Sequence, residues 1–222
     1  MKIGFIGTGQ ITKAVVIGII SSKLKINKIY ISERNKKISK NLKSKSKKII
    51  IIKNNQEIIN KSNWVFLAIT PKVGRKILSN YTYKSNQIIV SFISTIKMKE
   101  LKKMIKVKAK IVRAIPLPPI SLRKGPVPMF PPNKKVKNFF NHLGTAVEIQ
   151  KENSSLSFWS TSGMMAPFYE LLNCMSTWLI KRGIKKDDAQ KYITSLFVAL
   201  SQDAVIKSKK DLKYLVKESQ TP

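Results

Sequence analysis

The sequence contains a single cysteine, Cys174, and a single histidine, His142. One cysteine excludes an internal disulfide and any zinc cluster. Acidic residues are few, 11 against 43 lysines and arginines, and never gather in a metal-like group, so no metal site is expected. No stretch reaches the roughly 18–20 apolar residues of a membrane helix. The first apolar run is interrupted by Gly7, Thr8, Gly9, Gln10 and Lys13. Only one lysine precedes it and no small-residue cleavage site follows, which argues against a signal peptide. These absences predict a cytoplasmic chain with no membrane association.

Arginine is scarce too. It occurs only at positions 34, 75, 113, 123 and 182; every other basic residue is lysine. A formal net charge of +32 raises nucleic-acid binding as a function. Base readout favours arginine, however, and base stacking requires aromatics set among the basic residues. Here the lysines run along the whole chain with abundant Ile, Asn and Ser. That pattern predicts a solvated basic surface with weak, salt-sensitive polyanion contacts and no specific nucleic-acid partner.

With 222 residues, 43% of them hydrophobic, the chain can bury one large core or two small ones. Apolar strands are predicted at 2–7, 28–32, 48–52, 63–69, 87–93 and 109–115. Helices are predicted between them at 10–23, 35–48, 55–61, 72–79 and 97–105. Strands that are apolar throughout and alternate with helices indicate an α/β fold, a Rossmann-type doubly wound parallel sheet. Seven prolines between Pro116 and Pro132 then block helix and interior strand alike, leaving a rigid loop with one edge strand at 125–130. A helix at 133–143 and a strand at 145–149 close a first domain, 1–150. From 154 onward the pattern is helical, with long helices at 161–182 and 187–209 split at Gly183. They form a helical domain, 151–222. Cys174, beside Leu171 and Met175, is expected in its core, and His142, next to Phe139 and Phe140, is expected to serve surface or packing.

Gly4-Phe-Ile-Gly7-Thr8-Gly9-Gln10-Ile11-Thr12 joins the first strand to the first helix. Gly7 permits the tight turn, and Gly9 lets backbone approach a pyrophosphate. The helix N-terminus offers free N–H groups and the positive end of its dipole. Thr12 stands where Gly or Ala is usual, which predicts slightly looser helix-to-strand packing. About twenty residues on, Ser32-Glu33-Arg34-Asn35 occupies the position where the adenosine ribose is read. Glu33 suits the two ribose hydroxyls of NAD(H). Arg34, with Ser32 and Lys36, suits the 2′-phosphate of NADP(H). NADP(H) is preferred, with NAD(H) still admitted.

Further segments follow in order: Gly18, Asn55, Phe66-Leu-Ala-Ile-Thr-Pro71, Val90-Ser-Phe-Ile-Ser94, Val112-Arg-Ala-Ile-Pro-Leu-Pro-Pro119, Ser162-Gly163 and Leu212-Lys213. With the glycine turn, this series resembles the pyrroline-5-carboxylate reductase family of NAD(P)H-dependent imine reductases. The resemblance implies cofactor contacts from Gly7, Thr8, Gly9, Gln10, Ile11, Ser32, Arg34, Asn55, Ala68, Ile69, Thr70 and Pro71. It implies substrate contacts from Ser162 and Gly163, a small cyclic imine as substrate, and a homo-oligomer where the helical domain is complete.

The departures gather at the substrate end. The family's Lys before Pro71 is Thr70, its Asn-Thr is Leu117-Pro118, and its Ser-Gly-Pro after Gly163 is Met164-Met165-Ala166. Its Ser-Pro-Gly-Gly-Thr-Thr segment would begin at Thr221-Pro222, so the helical domain is expected to be incomplete and turnover of pyrroline-5-carboxylate poor. Apolar residues such as Phe197, Val198 and Leu200 are then expected to be uncovered. No catalytic side chain is assigned. Two alternatives stand beside the imine reductase: an oxidoreductase acting on a different small imine or carbonyl, and a non-catalytic NADP-binding protein.

Overall fold

The computed structural model describes residues 1–207 and 209–220. Two compact units divide the chain, Met1–Ser162 and Gly163–Pro222.

In the first unit, short apolar strands alternate with amphipathic helices. The elements are β1 (Lys2–Ile6), α1 (Gln10–Ile20), β2 (Lys28–Ser32), α2 (Lys36–Lys45), β3 (Ile49–Ile52), α3 (Asn55–Lys61) and β4 (Trp64–Leu67). They continue as α4 (Pro71–Ile77), β5 (Ile88–Ser91), α5 (Met98–Ile105), β6 (Lys110–Ala114), β7 (Pro126–Phe130), α6 (Lys134–Asn141) and β8 (Thr145–Glu148). The strands form one sheet in the order β3-β2-β1-β4-β5-β6-β7-β8. β1 to β6 are mutually parallel, so the chain reverses its winding between β1 and β4, where doubly wound sheets bind ligands. Side chains alternate across each strand. In β4, Trp64 and Phe66 face one core and Val65 and Leu67 the other. Phe66 stacks on Phe5 at 4.7 Å and meets Phe139 of α6 at 5.5 Å. α2 buries Ile38 and Leu42 and turns its lysines to solvent; the Asn35 side chain caps it by accepting from the Ile38 N–H at 3.1 Å.

The expected edge strand at 125–130 is an interior one. β7 pairs antiparallel with β6 and parallel with β8. Its prolines are tolerated because the N–H and C=O of a strand residue point to the same side. The Pro128 carbonyl accepts from Ile115 on the β6 side, where pairing is confined to Arg113↔Phe130 and Ala114↔Met129. The Gly125 and Met129 carbonyls accept from Thr145 and Ile149 on the β8 side. The missing proline N–H groups therefore fall on the short ladder.

The first unit extends past residue 150, because α7 (Ser155–Thr161) and the turn before it are tied to β6 through Glu152 and Arg113. The expected helix from 161 is broken. A 3-10 turn at Ser162–Met164 precedes α8 (Met165–Lys181), which places Pro167 in a first turn, where its missing N–H breaks no helix bond.

The second unit contains α8, α9 (Lys186–Ile206) and α10 (Leu212–Glu218). α8 packs against α9, with Phe168 edge-on to Phe197 at 5.6 Å, and the intervening Gly183 has φ +89°. Few side chains are buried here among the described residues: Ser176, Ala189 and Ile193. Cys174 is exposed, contrary to expectation. α9 packs along α8, yet the apolar spacing of α8 does not translate into burial of Cys174. Cys174 Sγ instead donates to Glu170 one turn back at 3.3 Å, and that carboxylate raises the thiol pKa. Val198 and Leu200 are exposed and Phe197 is half-buried. Thr221-Pro222 lies outside the described residues. No helix is long and apolar enough to cross a membrane among the described residues.

Candidate cofactor site

The C-terminal ends of β1 and β2 are tied together at the winding reversal. The Gly7 N–H donates to Ser32 Oγ at 3.1 Å, and Thr8 Oγ1 donates to the Ser32 carbonyl at 2.5 Å. Ser32 is buried with its hydroxyl engaged by the turn, so it positions the glycine loop. Thr12 replaces the expected loose packing with a tight anchor. It is fully buried, and its hydroxyl donates to the Gly7 carbonyl at 2.8 Å.

The two glycines do different work. Gly7 has φ +98°, and a Cβ there would lie 2.3 Å from the Ala68 carbonyl oxygen. Gly7→Ala is therefore expected to destabilise the first unit by about 1–3 kcal/mol, read as a lower midpoint in urea unfolding. An unchanged midpoint would contradict the strain assigned to this turn. Gly9 has ordinary extended backbone, and a Cβ there meets nothing within 4 Å. It is the N-cap of α1, and no side-chain cap hydrogen bond is made to this helix among the described residues. Gln10 is exposed and Ile11 half-buried on the same first turn. Open space thus lies over uncapped N–H groups and a positive dipole end.

A cavity of about 240 Å³ adjoins this turn, lined among others by Gly7, Ser32, Glu33, Arg34, Lys53 and Asn55. Arg34 is exposed. Asn55 Nδ2 donates to the Tyr81 hydroxyl at 3.0 Å, while its buried Oδ1 has no partner among the described residues. Ile69 also lines the cavity. Ala68 continues β4, its N–H donating to the Ile6 carbonyl at 2.9 Å. Thr70 is the exposed N-cap of α4, and Pro71 is its first residue, where the missing N–H costs nothing. The residues expected at a cofactor therefore gather at one end of β1, β2 and β4. Ser162 and Gly163 do not line this cavity. Ser162 Oγ donates to the Phe158 carbonyl at 3.1 Å, Gly163 is exposed, and the boundary between the two units runs between them.

Sequence reasoning missed a second cavity, of about 550 Å³, lined by Ser94, Thr95, Lys97, Arg113, Glu152 and Trp159 among others. Arg113 is 2% exposed. It donates to Glu152 and to the Ser94 carbonyl, and its guanidinium lies 4.6 Å from the Trp159 ring centroid. Burial lowers its pKa, and the Glu152 charge opposes that shift. The signal was available: an arginine stands in the apolar run Ile111-Val112-Arg113-Ala114 of a chain that otherwise prefers lysine. Arginine is kept where a planar fork of donors is needed.

A family model described as NADP oxidoreductase, coenzyme F420-dependent, matches residues 2–95. A pyrroline-5-carboxylate reductase of Haemophilus influenzae is 23% identical over 201 residues, covering 86% of this chain and 73% of that protein. Pyrroline-5-carboxylate reductase 3 of Danio rerio is 30% identical over 129 residues, 56% of this chain and 44% of that protein. The crystal structure of Plasmodium falciparum pyrroline carboxylate reductase with NADP bound superposes with a TM-score of 0.83 at 22% identity, over 100% of this chain and 85% of that one.

Proposed function

We propose that this chain belongs with the pyrroline-5-carboxylate reductases it is similar to and is an NADPH-dependent reductase of a small cyclic imine of the pyrroline-5-carboxylate type. The observation that carries the reading is the open approach at Gly9 over the uncapped start of α1, beside a turn that Gly7 alone can make. NADPH, when bound, supplies the hydride for the imine carbon. The residues present fit that cofactor. Gly7 to Ile11 would cradle the pyrophosphate, and Arg34 would hold the 2′-phosphate. Asn55 would contact the cofactor beside Arg34, in the cavity the two share, and the Ala68–Pro71 segment would flank the nicotinamide side. The protein's contribution is alignment of two reactants, worth several kcal/mol of barrier. Thr70, Leu117-Pro118 and Met164-Met165-Ala166 keep open a second reading, in which the substrate is another small imine or carbonyl.

The test is to titrate NADPH into the purified chain and then follow loss of its absorbance with pyrroline-5-carboxylate. Absence of binding would remove the whole reading. Turnover only with other imines or aldehydes would favour the second one, and binding without any turnover would leave an NADP-binding protein. Arg34→Ala should weaken NADPH roughly ten- to a hundredfold, the worth of one charge-assisted contact. NADH should change far less, and equal losses for the two cofactors would contradict the NADP preference.

A reducing, cytoplasmic setting accords with one unpaired cysteine. A second copy of the chain is the proposed cover for the exposed apolar residues of the second unit, among them Trp178, Val198, Leu200 and Val205.

A further inference from the structure

We infer that Lys53, at the C-terminal end of β3, completes a 2′-phosphate clamp with Arg34 and sets the cofactor preference. This rests on the reading of the 240 Å³ cavity as the adenosine end of an NADPH site. Parallel pairing sets Ser32 beside Ile52, and the Glu33 N–H donates to the Ile52 carbonyl at 3.2 Å. The residues that follow β2 and β3 therefore emerge side by side. Lys53 is the next residue after Ile52, and it lines the same cavity as Glu33, Arg34 and Lys36.

The charges decide what this arrangement suits. Arg34, Lys36 and Lys53 are all exposed, and none of them forms a salt bridge among the described residues. Glu33 forms none either, so three cations and one carboxylate share the cavity without neutralising one another. Such a pocket gains by taking up a phosphate that carries close to two negative charges. A bare ribose hydroxyl gives the cations nothing and answers only to Glu33. Arg34 offers a directional fork from the loop after β2; Lys53 offers a point charge from the neighbouring strand. Gripped from two sides, a phosphate is held against the repulsion of Glu33. What separates Lys53 from the many solvated lysines is its place. It stands at the binding end of the strand next to the ribose-reading one, whereas Lys110, for example, starts β6 at the opposite end of the sheet.

The experiment compares Lys53→Ala, Lys53→Arg and Lys110→Ala by calorimetric titration with NADPH, NADH, adenosine 2′,5′-bisphosphate and adenosine 5′-monophosphate. Lys53→Ala should weaken NADPH and the bisphosphate roughly five- to tenfold and leave NADH and the monophosphate within about twofold. Lys53→Arg and Lys110→Ala should both stay near wild type. Combined with Arg34→Ala, the loss should depart from the product of the single losses, because both side chains hold one group. Equal losses for all four ligands, or the same loss from Lys110→Ala, would reduce Lys53 to general surface charge and overturn the inference. Wild-type protein that binds neither dinucleotide would instead overturn the underlying site assignment, so the two failures are distinguishable. Thermal unfolding of each variant guards against a folding defect, which is not expected at an exposed lysine.

Discussion

Gly9→Val is expected to abolish dinucleotide binding while the fold stays intact. The backbone at Gly9, φ −94° and ψ −169°, is open to any residue, and a Cβ there has no neighbour within 4 Å. The protein itself therefore has no objection to a side chain. Valine would project its methyl groups into the space over the first turn of α1, where a pyrophosphate must come to meet the free N–H groups. Losing two charge-assisted contacts, each about 1.5–3 kcal/mol, lowers affinity more than about a hundredfold. Fluorescence titration with NADPH and a thermal melt on the same preparation check both halves. Unchanged affinity in a folded variant would remove the site from this turn. Gly7→Ala is the counterpart, since there the folded chain is what suffers, through φ +98° and the Ala68 carbonyl.

That contrast shows what the sequence made legible. Glycine spacing marks the turn, but only the folded backbone separates the glycine the chain needs from the glycine a ligand needs. The alternation of fully apolar strands with helices of 3.6-residue period made a helix-covered parallel sheet legible, and the glycine turn after the first strand favoured the doubly wound form over a closed barrel. The role of Thr12 was hidden, since whether a hydroxyl loosens or anchors a helix depends on which carbonyl lies within reach. β7 was misplaced at an edge because proline argues against a strand only on the side where its N–H would donate. Cys174 was misplaced in a core because helical periodicity identifies an apolar face and says nothing of how many neighbours cover it. Lys53 was lost among other lysines. Its neighbourhood with Arg34 is a product of parallel register between strands, which single-residue reading does not contain.

The second large effect lies away from the glycine turn. Glu152→Ala is expected to destabilise the first unit by about 3–5 kcal/mol, the cost of leaving a buried charge without its partner. Arg113 is 2% exposed and rises from β6, which has β5 on one side and β7 on the other. Its charge is borne there by Glu152, by the Ser94 carbonyl and by the face of Trp159. The same Glu152 oxygen also accepts the Met98 N–H at 2.7 Å, at the start of α5. Removing the carboxylate leaves the buried Arg113 guanidinium without its charge partner and orphans a helix N–H together. Three buried polar atoms near this point, Arg113 Nε, Ser155 Oγ and Trp159 Nε1, have no partner among the described residues, so little spare capacity exists to absorb the loss. The unpaired charge, and not the lost contact, dominates the cost. Replacing both members at once, with Arg113→Met and Glu152→Leu, should accordingly be far less damaging than Glu152→Ala alone. Urea unfolding of the single and double variants decides it. If the double variant is as unstable as the single or worse, desolvated charge is not what Glu152 neutralises, and the pair matters instead for the shape of the segment it ties to β6.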